Sequence, residues 1–199
     1  MKKIVVILTV LILLAASAFA SETHVIRIRT TVEAKNPTFA LKAGLTPDSF
    51  DRAVSDETNN MLGWETVEKS IKDEDIVVFF EVVQKGEAKE FGERYSLTVE
   101  ASEMILSYNE DSSPLATDYR TSKGKISDIK PFTNEKTISV SSKSSVSTTT
   151  KGIATIEAEY NGRVEDGTPI AKFTVTWQKD INAPDGIYQA SVVLKVAKQ

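Results

Sequence analysis

The sequence contains no cysteine and a single histidine, His24, among its 199 residues. Without cysteine the chain has no disulfide scaffold, no thiolate metal site and no cysteine to carry a lipid anchor. A single histidine excludes Cys–His and Ser–His–Asp catalytic arrangements and a histidine-rich metal site. We therefore predict that the protein is not an enzyme, uses no cofactor or metal ion, and is stabilised by packing alone.

The chain also lacks a second long apolar run. The one such run lies within residues 1–20, between Lys2-Lys3 and the small-residue pattern Ala18-Phe19-Ala20. This arrangement is typical of a secretory signal peptide, and the run is shorter than the about 20 residues that cross a bilayer. We expect export through the Sec pathway, a mature chain that begins at Ser21, and no insertion into the membrane.

Positive charge is in deficit as well. Removing the two lysines of the predicted signal peptide leaves 22 basic and 28 acidic side chains, a formal charge of −6. This excess of negative charge argues against a nucleic-acid partner, because the phosphate backbone binds basic protein surfaces. The densest carboxylates are Asp73-Glu74-Asp75, in a polar connection, and Glu157 and Glu159, on one face of a predicted strand. We interpret both groups as solvated rather than as a catalytic acid–base pair.

What the sequence does contain is the pattern of β-strands. Residues 76–83 are almost continuously apolar and β-branched or aromatic, which predicts a central strand covered on both faces. Polar and apolar side chains alternate in four later segments, which predicts half-buried strands. These segments are 95–101, 154–160, 171–177 and 188–196.

Other segments predict turns, loops and a short helix. Thr46-Pro47-Asp48 has the order of a helix cap, so we expect one or two helical turns after it. Residues 109–130 are predicted to form a long polar loop, and the serine- and threonine-rich residues 137–151 a polar edge strand or a mobile loop. Asn161-Gly162 favours a tight hairpin turn. Trp177 falls on the apolar face of its strand and is predicted to lie in the core.

The N-terminal arm, residues 21–35, alternates in the same way. One face of an extended strand there would carry Ile26, Ile28, Thr30, Val32 and Ala34. Counting this arm, the chain has about seven predicted strands and one domain over residues 36–199, the pattern of an all-β, immunoglobulin-like β-sandwich. The arm is either the first strand of its own sandwich or a strand donated to a neighbouring copy.

Both ends of the chain resemble subunits of chaperone–usher fimbriae of the alternate and archaic types. The opening HVIRIRTTVEAKNPTFALKAG is similar to their alternating donor strand followed by a proline break, a strand and a glycine. The end KFTVTWQKDINAPDGIYQASVVLKV is similar to their closing strand, Pro/Gly turn with tyrosine, and alternating last strand. The two matches cover about a quarter of the chain, and residues 45–165 have no counterpart in this resemblance.

The resemblance implies a pilin subunit whose sandwich lacks one strand until the arm of another copy or a related subunit completes it. The five inward residues of the arm would then be the donor residues, and a periplasmic chaperone and an outer-membrane usher would be the partners during assembly at the cell surface. The acceptor groove would be formed by the last strand, on residues Tyr188, Ala190, Val192, Leu194 and Val196. The alternative prediction is a stand-alone exported binding or adhesion module.

Overall fold

The structure of the chain is a computed structural model that describes residues 25–33, 39–50, 53–54, 60–64, 70–86, 91–108 and 114–199. For residues 25, 53–54, 60–64, 107–108 and 114–118 it describes the backbone only. The predicted signal peptide and His24 lie outside the described residues. Within them the chain forms strands and no helix, and two sheets are arranged as a sandwich, which confirms the predicted all-β class.

Thirteen strands occur among the described residues, where the sequence predicted about seven, because short edge segments lack a clear alternation. They are β1 (Val25–Glu33), β2 (Phe39–Gly44), β3 (Ala53–Val54), β4 (Asn60–Trp64), β5 (Ile76–Gln84), β6 (Arg94–Tyr108), β7 (Pro114–Lys123), β8 (Lys125–Pro131), β9 (Ile138–Ser142), β10 (Val146–Ser147), β11 (Lys151–Tyr160), β12 (Pro169–Trp177) and β13 (Ile187–Lys198).

The eight-stranded sheet has the order β10-β11-β6-β13-β1-β4, with β7 also paired to β6 and β9 also paired to β11. The five-stranded sheet has the order β3-β2-β5-β12-β8. The predicted central strand is therefore confirmed, since β5 lies between β2 and β12. In β11 every second side chain is buried, as its alternating sequence predicted.

The core lies between the two sheets. Trp177 is fully buried, as predicted, and its indole Nε1 donates a hydrogen bond to the carbonyl oxygen of Ser102 at 2.9 Å. The rings of Phe80 and Phe173 stack with their centroids 5.2 Å apart. This ring contact joins β5 to β12, which are antiparallel neighbours in the five-stranded sheet.

A corner between the sheets depends on two glycines. Gly124 separates β7, in the eight-stranded sheet, from β8, in the five-stranded sheet. A Cβ atom on Gly152 would lie 2.2 Å from the carbonyl oxygen of Gly124, and one on Gly124 would lie 2.7 Å from Val175 Cγ1. Only residues without a side chain therefore fit where the chain passes from one sheet to the other.

The predicted helix after Thr46 is wrong in the residues described there. Thr46 and Ser49 form an isolated β-bridge around Pro47-Asp48, and the next element is the short strand β3. The physical reason is that the fixed φ of proline suits the second position of a β-turn as well as the first turn of a helix.

The predicted polar loop over residues 109–130 is also wrong in its described part, which contains β7 and β8. The error has a physical cause: among the described strands, β8 lies at the edge of its sheet beside β12, and it buries little beyond Ile126. Lys125, Lys130 and Pro131 are exposed there. Charged residues and proline protect an edge strand from pairing with other chains, so a polar sequence is compatible with a strand.

The predicted hairpin at Asn161-Gly162 is wrong as well, because β11 and β12 belong to different sheets. The dipeptide instead docks on the residues before β9. The backbone amides of Asn161 and Gly162 donate to the carbonyl oxygen of Thr137 at 2.9 and 3.1 Å, and a Cβ on Gly162 would lie 2.6 Å from the carbonyl oxygen of Lys136. The serine- and threonine-rich segment contains the edge strands β9 and β10, one of the two forms predicted for it.

Candidate functional site

The predicted arm forms β1, which lies inside the eight-stranded sheet of the same chain. It pairs in parallel with β13 over its full length, from Val25 opposite Ile187 to Glu33 opposite Lys195. On its other side it pairs antiparallel with β4, from Ile26 opposite Trp64 to Thr30 opposite Asn60. The groove between β13 and β4 is the candidate functional site, and β1 is its occupant.

Four of the five predicted donor residues point into the core. Ile26, Ile28 and Thr30 have no exposed surface, and Val32 is 6% exposed. The fifth, Ala34, lies outside the described residues. The alternation that predicted an inward face for the arm therefore matches the burial of the described strand.

The predicted acceptor residues lie directly beside this face. The Cα partners are Ile26 with Tyr188, Ile28 with Ala190, Thr30 with Val192 and Val32 with Leu194. All four β13 residues are buried, whereas Val196 is only partly buried and lies beyond the end of the ladder. The structure thus brings the two predicted sets together in one chain.

Hydrogen bonds and an ion pair hold the end of the groove where β13 begins. The hydroxyl of Tyr188 donates to the carbonyl oxygen of Pro184 at 2.5 Å, and burial raises the pKa of this tyrosine. Tyr119 donates to Asp180 Oδ2 at 2.7 Å, and burial, together with this hydrogen bond and the aspartate charge, raises its pKa to about 12. Lys72 Nζ lies 3.0 Å from Asp185 Oδ1. The turn before β13 is therefore tied to neighbouring loops.

Charged side chains on the outer face connect β13 to its other neighbours. Lys195 Nζ lies 2.9 Å from Glu100 Oε1 on β6, and Lys151 on β11 contacts the other carboxylate oxygen. Burial by itself would raise the pKa of Glu100, but the hydrogen bonds from the two lysines lower it overall. The hydrogen bond to Glu100 raises the pKa of Lys195, with a smaller contribution from Glu33 on β1. These contacts couple three adjacent strands, β11, β6 and β13.

The carboxylates considered as acid–base candidates lie away from this groove. Asp73, Glu74 and Asp75 are exposed, and Glu157 and Glu159 contact Lys143 at 3.3 Å and Arg94 at 2.9 Å. Within the described ranges, no three acidic, histidine or cysteine side chains cluster as metal ligands would. The side chain of Trp64 and the acidic run at residues 109–111 lie outside the description.

Sequence reasoning missed β4 as the second wall of the groove. The signal for it is the short apolar run Met61-Leu62-Gly63-Trp64, which is compatible with a buried strand but too short to identify one. It also missed the role of Ser102, whose hydroxyl accepts a hydrogen bond from the amide of Ser191 on β13 at 2.9 Å. Ser102 lies where the β6–β13 register shifts, a feature that alternation does not reveal.

No known protein-family model matches this chain, and no curated protein matches it either. In the described part of the chain, no helix has the length and apolar character needed to span a membrane.

Proposed function

We propose that the chain is a structural subunit of a fimbria- or pilus-like surface polymer, in which β1 of one copy occupies the groove of a neighbouring copy. The observation that carries the proposal is the pairing of the arm with the last strand, in which four alternating arm residues lie beside Tyr188, Ala190, Val192 and Leu194. A groove that accepts this strand within one chain has the shape and chemistry to accept the same strand from a second chain.

The character of the β1 contacts supports exchange. The inward side chains are three aliphatic residues and one threonine, so the groove selects an alternating strand rather than a bulky anchor. The ladder to β13 is parallel, a pairing that is slightly less stable per residue than an antiparallel one. Among the described residues, the antiparallel ladder to β4 spans Ile26 to Thr30.

The same contacts would nevertheless hold two copies firmly together. Burying a valine or isoleucine side chain stabilises by about 1.5–3 kcal/mol, so Ile26, Ile28 and Val32 contribute roughly 5–9 kcal/mol. The backbone hydrogen bonds on both sides of β1 must open together before the copies separate. A polymer joined in this way would dissociate slowly, as a surface fibre requires.

The route of assembly follows from the resemblance and from the predicted signal peptide. After export to the periplasm and cleavage behind residue 20, β1 would begin at the fifth residue of the mature chain and would be available for donation. A periplasmic chaperone would hold the groove open, and an outer-membrane usher would assemble the subunits. In this proposal the sandwich is immunoglobulin-like, and it is complete only when a strand occupies the β1 position.

A second candidate function is an exported binding or adhesion module that is complete by itself. The observation that favours it is that β1 occupies the groove of its own chain, with Ile26 and Ile28 fully buried. In that case the arm would be an ordinary first strand, and the ligand would have to be found on the surface of the sandwich.

The test compares exported residues 1–199 with a variant that lacks residues 21–34. Periplasmic extracts are run on a denaturing gel without heating and again after boiling. Strand donation predicts a ladder of oligomers that disappears on boiling and is absent from the deletion variant. A cooperatively unfolding monomer without a ladder, which the same deletion destroys, would support the second candidate instead.

A further inference from the structure

A cavity of about 260 Å³ opens on the outer face of the eight-stranded sheet, on the opposite side of β1 from the core. Three strands contribute to its wall: Arg27 and Arg29 from β1, Ser102 and Ile105 from β6, and Gln189 and Ser191 from β13. The cavity therefore exists only while β1 occupies its position beside β13.

Among the described residues that line this cavity, the two arginines are the charged ones. Their Cα partners are Gln189 and Ser191 on β13 and Gly63 and Met61 on β4, none of which is ionisable. Within the described part of the chain, neither guanidinium group forms an ion pair or a hydrogen bond. Two arginines whose Cα atoms lie about 7 Å apart along one strand therefore stand beside a cavity whose described lining contains no carboxylate.

The charged residues beside a neighbouring depression, in contrast, form ion pairs with protein groups. A second depression shares Ser102, Ile105 and Ser191 with the first, and its own charges are internally balanced. Arg120 lies 3.2 Å from Glu103, and Glu100 is contacted by two lysines. The unneutralised pair on β1 is thus a local feature of the first cavity, in a chain whose overall charge is negative.

Two guanidinium groups and neighbouring polar side chains suit one class of ligand. Each guanidinium presents several N–H donors in a planar fork that matches the oxygen atoms of a carboxylate, sulfate or phosphate. The Ser191 hydroxyl and the Gln189 amide supply further donors at the wall. The hydroxyl of Ser102 is already engaged, since it accepts from the amide of Ser191 and donates to the carbonyl oxygen of Glu103 at 2.7 Å.

We propose that this cavity is an oxyanion-binding site, in which Arg27 and Arg29 hold a phosphate, sulfate or carboxylate group against β13. Because one wall belongs to β1 and the other to β6 and β13, a bound oxyanion stabilises the docked strand by mass action. This consequence rests on the proposed function when it is extended to the polymer: there the site lies at each junction between copies, and its ligand slows their separation.

The test is calorimetric titration with inorganic phosphate and, separately, with acetate, at constant ionic strength set by sodium chloride. The exported full-length chain is compared with Arg27→Gln/Arg29→Gln and with Arg163→Gln, an exposed arginine far along the chain from β1. We expect saturable binding of at least one anion to the parent chain and to Arg163→Gln. The double variant should bind at least about tenfold more weakly, because each charge-assisted hydrogen bond contributes about a factor of ten.

The two anions distinguish between two chemical classes of ligand. Binding of phosphate alone indicates a tetrahedral oxyanion, and binding of acetate indicates a carboxylate. No saturable binding to the parent chain, or equal binding to all three chains, would overturn the proposal. A further variant, Arg27→Lys/Arg29→Lys, retains the charge but removes the guanidinium fork, and should bind with intermediate affinity. Equal affinity of this variant and the parent chain would overturn the role of the fork.

A second readout separates this proposal from the polymer proposal. If heat-labile oligomers form, the bound anion should raise the temperature at which they dissociate in the parent chain and not in the double glutamine variant. If no oligomers form in any sample, the polymer proposal fails while the calorimetric result still decides the oxyanion site.

Discussion

Strands β1 and β12 are each nine residues long and each lies between two neighbours, yet they are held in different ways. β12 is antiparallel to both β5 and β8, whereas β1 is parallel to β13 and antiparallel to β4, with five β1–β4 residue pairs among the described residues. Both strands are interior members of a sheet, so position in the sheet alone does not distinguish a permanent strand from an exchangeable one.

The side chains make the larger difference. β12 contributes Trp177, which donates a hydrogen bond across the core, and Phe173, which stacks on Phe80. The described side chains that β1 places in the core are aliphatic, except for one threonine. An aromatic anchor with a specific partner ties β12 to this one fold, while the aliphatic face of β1 makes contacts that an identical strand from another copy would reproduce.

The largest expected effect is on the β12 side of this comparison. Trp177→Ala should lower the free energy of unfolding by about 3–5 kcal/mol, because it leaves a large cavity and removes the donor to Ser102. The measurement is urea unfolding followed by far-ultraviolet circular dichroism. The control, Phe91→Ala, removes a side chain that is 80% exposed and should change stability by less than about 0.5 kcal/mol. Equal effects of the two changes would refute the anchoring role of β12.

The next effect is on β1 itself. Ile28→Ala should cost about 2–4 kcal/mol, since the side chain has no exposed surface. If β1 is donated, this loss weakens the contact between copies, so the heat-labile oligomers should dissociate at a lower temperature. Thr31→Ala, on the outer face of the same strand, is the matched control. A ladder unaffected by Ile28→Ala would show that β1 does not join the copies.

A smaller effect is expected at the corner between the sheets, which strand exchange would leave within one chain. Gly152→Ala places a Cβ 2.2 Å from the carbonyl oxygen of Gly124, and such overpacking typically costs about 1–3 kcal/mol. The midpoint of urea unfolding should fall, while the dissociation temperature of any oligomers should change little. Ser144→Ala, at an exposed position, serves as the control. An unchanged midpoint for Gly152→Ala would show that this corner relaxes freely.

The smallest effect is electrostatic and depends on pH. The folded-state pKa of Glu100 lies below its ordinary value of 4.5, so this glutamate stabilises the fold above about pH 5 and loses that contribution as the pH falls through the folded-state pKa. Glu100→Gln should therefore cost up to about 1 kcal/mol at pH 7 and less at pH 3. The measurement is urea unfolding of both chains at the two pH values. A cost that grows at pH 3 would contradict this sign.

Much of this fold follows from alternation along the sequence. β1, β11 and β13 each bury every second side chain over most of their length, and the continuous apolar run of β5 identifies a central strand. In β12 the predicted inward side chains are buried, but so is Thr174 on the opposite face. Alternation fails where a strand lies at an edge, because its exposed side chains resemble those of a loop. It fails for this reason at β8, and the dipeptide Asn161-Gly162 shows that turn chemistry alone does not reveal which sheet the chain enters next.

The features of the candidate site also differ in whether the sequence could predict them. The inward residues of β1 and β13 could be predicted, because each set depends on a period of two within one strand. The parallel register between them and the second wall formed by β4 could not, since both depend on pairing between distant segments. The oxyanion cavity needs three strands in register, so its two arginines appear in the sequence only as the outer face of the arm.

The most direct test of strand exchange uses the absence of cysteine from the chain. Thr31 and Val193 are Cα partners across the β1–β13 ladder, within the range that a disulfide spans. Thr31→Cys and Val193→Cys are placed on two chains with different tags, and these are exported together to the oxidising periplasm. As a control, Thr98→Cys and Thr155→Cys are likewise placed on two chains with different tags. These two residues are Cα partners across the β6–β11 ladder, which strand exchange would leave within one chain.

Strand donation predicts a covalent dimer of the two tagged chains that survives boiling and disappears on reduction, and no such dimer from the β6–β11 pair. If the tagged chains stay separate, while a single chain carrying both Thr31→Cys and Val193→Cys closes an internal disulfide, then β1 belongs permanently to its own chain. That result would contradict the proposed function.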